Sequence, residues 1–192
     1  MNDDRPGTFI VRRADQIRAM SGPVAHQIVS TLERSGPCSV GDVASLLGVA
    51  PESLYYHVRR LHAAGILINE GSRAGVTRSE TIYGLPGREL VVDPEARSPR
   101  VLDEIERMTR GLLRMAERSF GRALRSTSAV RRGRYRNLTM QQRTAHLRKA
   151  DLARLNRMLR EIDDFLIAAH DPEAPERCSV TIVVTPIAPA DC

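Results

Sequence analysis

The sequence predicts a mainly α-helical chain with a small β-ribbon before its midpoint and a strand near its C-terminal end. Three observations carry that expectation. Apolar residues recur at intervals of three and four over most of the chain, as on the buried face of a helix. Two short runs rich in β-branched residues follow Gly65 and flank a tip containing glycine and arginine. The run Cys178 to Pro186 is dense in Val, Ile and Thr.

The elements follow in order. Residues 1–12 read as a loose arm. Asp15 to Met20 reads as a short helix, with Ile17 and Met20 inward. Ser21-Gly22-Pro23 is a turn in which Ser21 or Gly22 caps a second helix with Pro23 at its start. That helix runs to about Arg34, and Val24, Ile28, Val29 and Leu32 form its core face. After Ser35-Gly36-Pro37, Ser39 or Cys38 precedes a third helix, Val40 to Leu47, with Val43, Leu46 and Leu47 inward. Ala44 is small enough for a close helix approach, and Gly48 suits a tight reversal. A fourth helix follows from Pro51 to Ala64. A helix with a buried alanine, a glycine-containing turn and a second helix form the helix-turn-helix pattern.

The fourth helix has two unlike faces. Leu54, Val58 and Leu61 lie on one side, and Ser53, Tyr56, His57 and Arg60 fall largely on the other. Pro51 fits a first helical position, and Gly65 fits a left-handed C-cap. Hydroxyls, an imidazole and guanidinium groups on one face are donors and acceptors suited to base edges and phosphates. An ordinary amphipathic surface helix would carry the same periodicity, so the flanking segments decide. Ile66 to Glu70 and Thr77 to Leu85 read as strands around the loop Gly71-Ser72-Arg73-Ala74-Gly75. Such a ribbon is a wing, and its tip offers Arg73 and Arg78 to a DNA backbone or minor groove.

At these residues the chain resembles the ArsR-like bacterial transcriptional regulators. Ser53-Leu54-Tyr55-Tyr56-His57-Val58-Arg59-Arg60-Leu61, then Ala64-Gly65-Ile66-Leu67, and before them Val43-Ala44-Ser45-Leu46-Leu47-Gly48, carry the resemblance. It implies a winged helix-turn-helix domain over residues 1–90 and a homodimer that binds double-stranded DNA. The expected DNA contacts are Ser53, Tyr55, Tyr56, His57, Arg59 and Arg60 from the helix, with Arg73 and Arg78 from the wing. Tyr56 is favoured over Tyr55 by helical position. The second helix has Val24-Ala25-His26 where the family often has an arginine. Val40-Gly41-Asp42-Val43 stands where metal-sensing members carry cysteines, so a metal sensor of that type is not expected.

Residues 91–192 are expected to form a helical dimerisation region that can also hold an effector. Pro86 to Pro99 reads as a linker. A long helix from Pro99 carries Val101, Ile105, Met108, Leu112 and Met115 at four and three, with a second stripe of Leu102, Leu113, Ala116, Phe120 and Leu124. That is more apolar surface than a lone helix can bury. The first stripe is therefore the expected dimer seam. Packing on the last helix of the same chain is the ordinary reading, and the two are compatible. Gln141 to Leu147 fits either a strand or the start of a helix. Asp151 to Ala169 is a helix with Leu152, Leu155, Leu159, Ile162 and Leu166 on one side. The strand Cys178 to Pro186 needs a partner, either residues 138–148 or the same strand of a second subunit.

Charge narrows the classes. The net charge of +6 is unevenly spread: residues 1–100 hold 12 arginines and 11 acids, residues 101–160 hold 16 bases and 5 acids, and residues 161–192 hold 1 base and 7 acids. The first segment is thus nearly neutral, so DNA affinity there rests on charges placed on one face. The Arg122–Arg136 stretch reads as a solvated surface, a backbone contact or an acidic-ligand pocket. It keeps an RNA-binding protein as an alternative, beside a winged-helix interaction module without DNA binding. The three cysteines, Cys38, Cys178 and Cys192, show neither disulfide nor metal spacing. His146, His170 and Cys178 match no standard metal site, Cys38 has no base arranged beside it, and His57 reads as a DNA contact before a catalytic base. An enzyme, a metal and a cofactor are not expected. No apolar run approaches the roughly 18–20 residues that span a bilayer, so no membrane partner and a cytoplasmic location are expected. Any small-molecule effector is unidentified.

Overall fold

In the computed structural model, which describes residues 7–74, 79–171 and 173–187, the chain is mostly helical with two small sheets. The elements are β1 (Thr8–Val11), α1 (Ala14–Met20), α2 (Pro23–Ser35), β2 (Cys38–Ser39), α3 (Val40–Leu47), α4 (Glu52–Ala63), β3 (Ile68–Ala74), β4 (Ser79–Gly84), β5 (Glu89–Val92), α5 (Pro99–Ala123) and α6 (Lys149–Ala168). Two compact units result, one up to Met115 and one from Ala116 onward.

Local chemistry explains the helix boundaries. The Gln16 side chain turns back to accept from the backbone N–H groups of Arg12 and Arg13 at 3.2 and 3.1 Å, which starts α1. Pro23 opens α2 after Gly22. Ser39, not Cys38, caps α3. Its hydroxyl accepts from the Asp42 N–H at 3.2 Å, while the Asp42 carboxylate accepts from the Ser39 N–H at 2.9 Å. Gly48 ends α3 in the left-handed region at φ 68°. The Val49 N–H then donates to the Ala44 carbonyl at 3.0 Å, closing the turn that aims α4.

The core of the first unit is built from Ile17, Ile28, Leu32, Val43, Ala44, Leu54, Val58, Leu61, Ile66, Leu67 and Leu85. Leu46, expected inward, is exposed, because Val43 and Ala44 already occupy the buried side of the short α3. Ser39→Ala should lower stability by about 1 kcal/mol, the usual cost of a lost N-cap. Denaturant unfolding with an unchanged m-value is the check.

Two segments differ from expectation. The stretch read as a loose arm contains β1, and the stretch read as a linker contains β5. They pair in parallel, Thr8 with Glu89 through Val11 with Val92. The wing is a three-stranded antiparallel sheet in the order β2-β4-β3, with a bulge between Asn69 and Gly71. Ile66 and Leu67 belong to the core and precede the strand.

The expected dimer stripe on α5 is partly used within the chain. Val101 is buried in the core of the first unit, and Ile105 and Met108 pack against it. Leu112 and Met115 are half-buried. Beside Val101, Glu104 is 3% exposed. Its Oε1 accepts from Arg18 Nε at 2.9 Å and from Arg107 Nη1 at 3.0 Å, while Oε2 is enclosed without a partner. Hydrogen bonding from Arg18 holds this carboxyl below its ordinary value of 4.5, against the opposing effect of burial. A carboxyl with a depressed folded pKa binds its proton more readily once unfolded. Its stabilisation is complete above pH 4.5 and is lost as pH falls through the folded value. Glu80 shifts in the same direction, chiefly through Arg73. Unfolding midpoints should therefore fall as pH drops below 4.5, and less steeply in Glu104→Gln.

In the second unit, residues 138–148 form neither strand nor helix. The region expected as a C-terminal strand forms no ladder, because no other strand lies beside it among the described residues. Val180, Ile182 and Val184 instead line a mainly apolar groove with Leu159, Ile162, Asp163 and Leu166 of α6. Among the described residues, no helix is long and apolar enough to cross a membrane.

Candidate nucleic-acid interface

Helix α4 presents its polar face because its other face is fully used. Leu54, Val58 and Leu61 are 1%, 3% and 0% exposed. Outside this anchor, Ser53, Tyr55, Tyr56 and Arg59 are exposed, and His57 and Arg60 are half-buried. Tyr56 is 59% exposed against 38% for Tyr55.

Three of the expected residues form one cluster. The Tyr56 and His57 rings meet edge to face at 5.4 Å, and the Arg60 guanidinium lies 5.6 Å over the Tyr56 ring. Arg60 Nη2 also donates to the Arg18 carbonyl at 3.2 Å. Tyr56 is thus held by a stacked cation, and Arg60 is tethered at one nitrogen. Burial first and Arg60 second push the His57 imidazole below its ordinary pKa of 6.5. It is therefore neutral at pH 7, able to donate from one nitrogen and accept at the other. A neutral ring of that kind suits a base edge better than a phosphate.

The other expected residues are placed differently. The Ser53 hydroxyl donates to the Ala50 carbonyl at 2.6 Å, at the start of its own helix. Arg73 is tied down: its Nη2 donates to both carboxylate oxygens of Asp42 at 3.0 Å and to Glu80 at 2.9 Å. Two carboxylates offset its charge, so Arg73 fastens the wing to the start of α3. Burial raises the Asp42 carboxyl, but hydrogen bonds from Ser39 and Arg73 outweigh it and hold the group below the usual range. Arg78 lies outside the described residues.

The sequence reading missed two supporting contacts. Arg13 Nη2 donates to the Ala64 carbonyl at 2.9 Å, placing a cation at the C-terminal end of α4. His62 packs edge to face on Tyr83 of the wing at 5.7 Å. An arginine before a helix and a histidine beside a predicted core leucine carry no signal of such long-range partners.

The exposed face of α4, the Gly48 turn before it and the sheet after it form one continuous arrangement. Residues 20–69 match the family model of a helix-turn-helix domain. The fold is a winged helix-turn-helix. A helix-turn-helix domain points to a DNA-binding regulator. No curated protein matches the chain. Among solved structures, the crystal structure of RV1404 from Mycobacterium tuberculosis is similar at 16% identity, covering 79% of this chain and 82% of that one with a TM-score of 0.29. Within the winged helix-turn-helix, α3 and the wing brace α4 from both sides in sequence, through Gly48 and through the His62–Tyr83 contact.

Proposed function

We propose that the chain is a sequence-specific transcriptional regulator of the ArsR-like type, acting as a homodimer on double-stranded DNA. Helix α4 would enter the major groove, and the wing over residues 70–80 would follow the flanking backbone or minor groove. Residues 1–90 would bind DNA, and residues 91–192 would dimerise and hold any effector. The observation that supports this most is the Tyr56–His57–Arg60 cluster, presented outward on a helix whose opposite face is buried. Two such helices related by a dyad would read half-sites about one helical turn apart.

One observation favours a second reading. The Asp42 and Glu80 partners of Arg73 weaken the wing as a cationic surface, as an interaction module without DNA binding would have it. Titration of the full chain against DNA from upstream of its own gene separates the readings, with scrambled DNA and matched RNA as controls. Preference for the upstream DNA that persists at higher salt supports the regulator. Equal, salt-sensitive binding to all three points to the exposed Arg122–Arg136 stretch as an RNA- or backbone-binding surface. Absence of binding favours the interaction module or a missing effector.

A further inference from the structure

We propose that α6 forms an antiparallel seam between two copies of this chain. The inference rests on the homodimer proposed above and assigns its contact to a helix other than α5. The pattern comes first. Leu152, Leu155, Leu159, Ile162 and Leu166 alternate at three and four, the spacing of a two-helix seam. The structure then leaves this seam largely open: Leu152, Ile162 and Leu166 are exposed, and Leu155 and Leu159 are half-buried. No residue of α6 is buried, and Met158 and Phe165 beside it are 50% and 66% exposed. The groove between Leu159, Ile162, Leu166 and Val180, Ile182, Val184 has a volume of about 420 Å³, enough for several aliphatic side chains. An apolar helix face of this length is stable in water only when another surface covers it.

Charge identifies the covering surface and its direction. The first part of α6, with the residue before it, carries Arg148, Lys149, Arg154, Arg157 and Arg160 against Asp151. The last part carries Glu161, Asp163 and Asp164 and no base. Bases near the N-terminus and acids near the C-terminus oppose the helix's own dipole, so this order disfavours the isolated helix. A second copy laid parallel would stack like charge on like charge. Laid antiparallel, it sets its acidic end beside the basic end of the first, and the two dipoles also oppose. The attraction is one of helix ends rather than of single ion pairs, since these charges flank the seam. About a dyad near Leu159, Leu152 and Leu155 of each copy would enter the groove at the other's Ile162 and Leu166. The contact is then the same on both copies and closes at two.

The test uses the full chain with Cys38→Ala, Cys178→Ser and Cys192→Ser. Adding Leu152→Cys to one sample and Leu166→Cys to another should give a rapid intermolecular disulfide on mixing, and little in either sample alone. Leu159→Asp, with helicity checked by circular dichroism, should weaken self-association roughly 100-fold or more, since an apolar contact is lost on both copies. Cross-linking within the Leu152→Cys sample alone would show a parallel pair and overturn the proposal. A dimer that Leu159→Asp leaves intact would overturn the α6 seam while the homodimer stands. A monomer at all concentrations would overturn both.

Discussion

Leu61→Ala is expected to lower the unfolding free energy by about 2–5 kcal/mol, the cost of removing a fully enclosed leucine and leaving a cavity. Leu61 is fully buried among the core side chains beneath α4. Its carbonyl also accepts from the N–H groups of Ile66 and Leu67 at 2.9 and 3.3 Å, at the chain reversal toward the wing. A typical domain has a total stability of about 5–15 kcal/mol, so this one change takes a large share. Denaturant unfolding gives the check. A loss below about 1 kcal/mol would mean that the core collapses into the space and that α4 is less firmly anchored than its burial implies. The same variant should lose DNA affinity in proportion to its unfolded fraction and recover it in stabilising osmolyte.

Tyr56→Ala and Arg60→Ala carry the second large effect. Each should cost about 1–3 kcal/mol of discrimination between the upstream site and scrambled DNA, the usual worth of a base-reading group. The two should not add. The Arg60 guanidinium rests over the Tyr56 ring, so the double variant should lose less than the separate losses together. A coupling of about 0.5–1 kcal/mol fits a partly exposed cation–π pair. Arg73→Ala gives the contrast. Its charge is already matched by Asp42 and Glu80, so it should change the salt slope by well under the roughly 0.9 expected per phosphate contact. A full unit of slope lost at Arg73 would show that the arginine leaves its carboxylates when DNA binds.

How much of this was legible in the sequence follows from the range of the interactions. The helices from α1 to α4 were readable because their signals are local. The apolar spacing of Leu54, Val58 and Leu61, the Ser39 cap and the glycines at 48 and 65 all act within a few residues. Strands β1 and β5 were not readable. Each has only four residues, and what makes them strands is a partner far along the chain. Arg73 is ion-paired rather than the free cation the sequence suggests, for a related reason. Its charge is visible in the sequence, but the two carboxylates that meet it come from α3 and β4. On α5 the periodicity of Val101, Ile105 and Met108 was read correctly as apolar, yet periodicity does not say whose surface covers it. The core of the same unit does so for Val101.

The parallel pairing of β1 with β5 has a consequence for synthesis. Thr8 leaves the ribosome before its partner Glu89, which lies 81 residues later in the numbering. Helices α1 to α4 can form as they emerge, since the hydrogen bonds within each helix are local. The clasp cannot close until Val92 has cleared the exit tunnel, so the nascent domain stays open at one edge for several seconds at about 5–20 residues per second. Ribosome-bound chains arrested before Glu89 should be nicked by protease near residue 12, and chains arrested well beyond Val92 should be protected there. The first unit is therefore completed by its last strand rather than by α4.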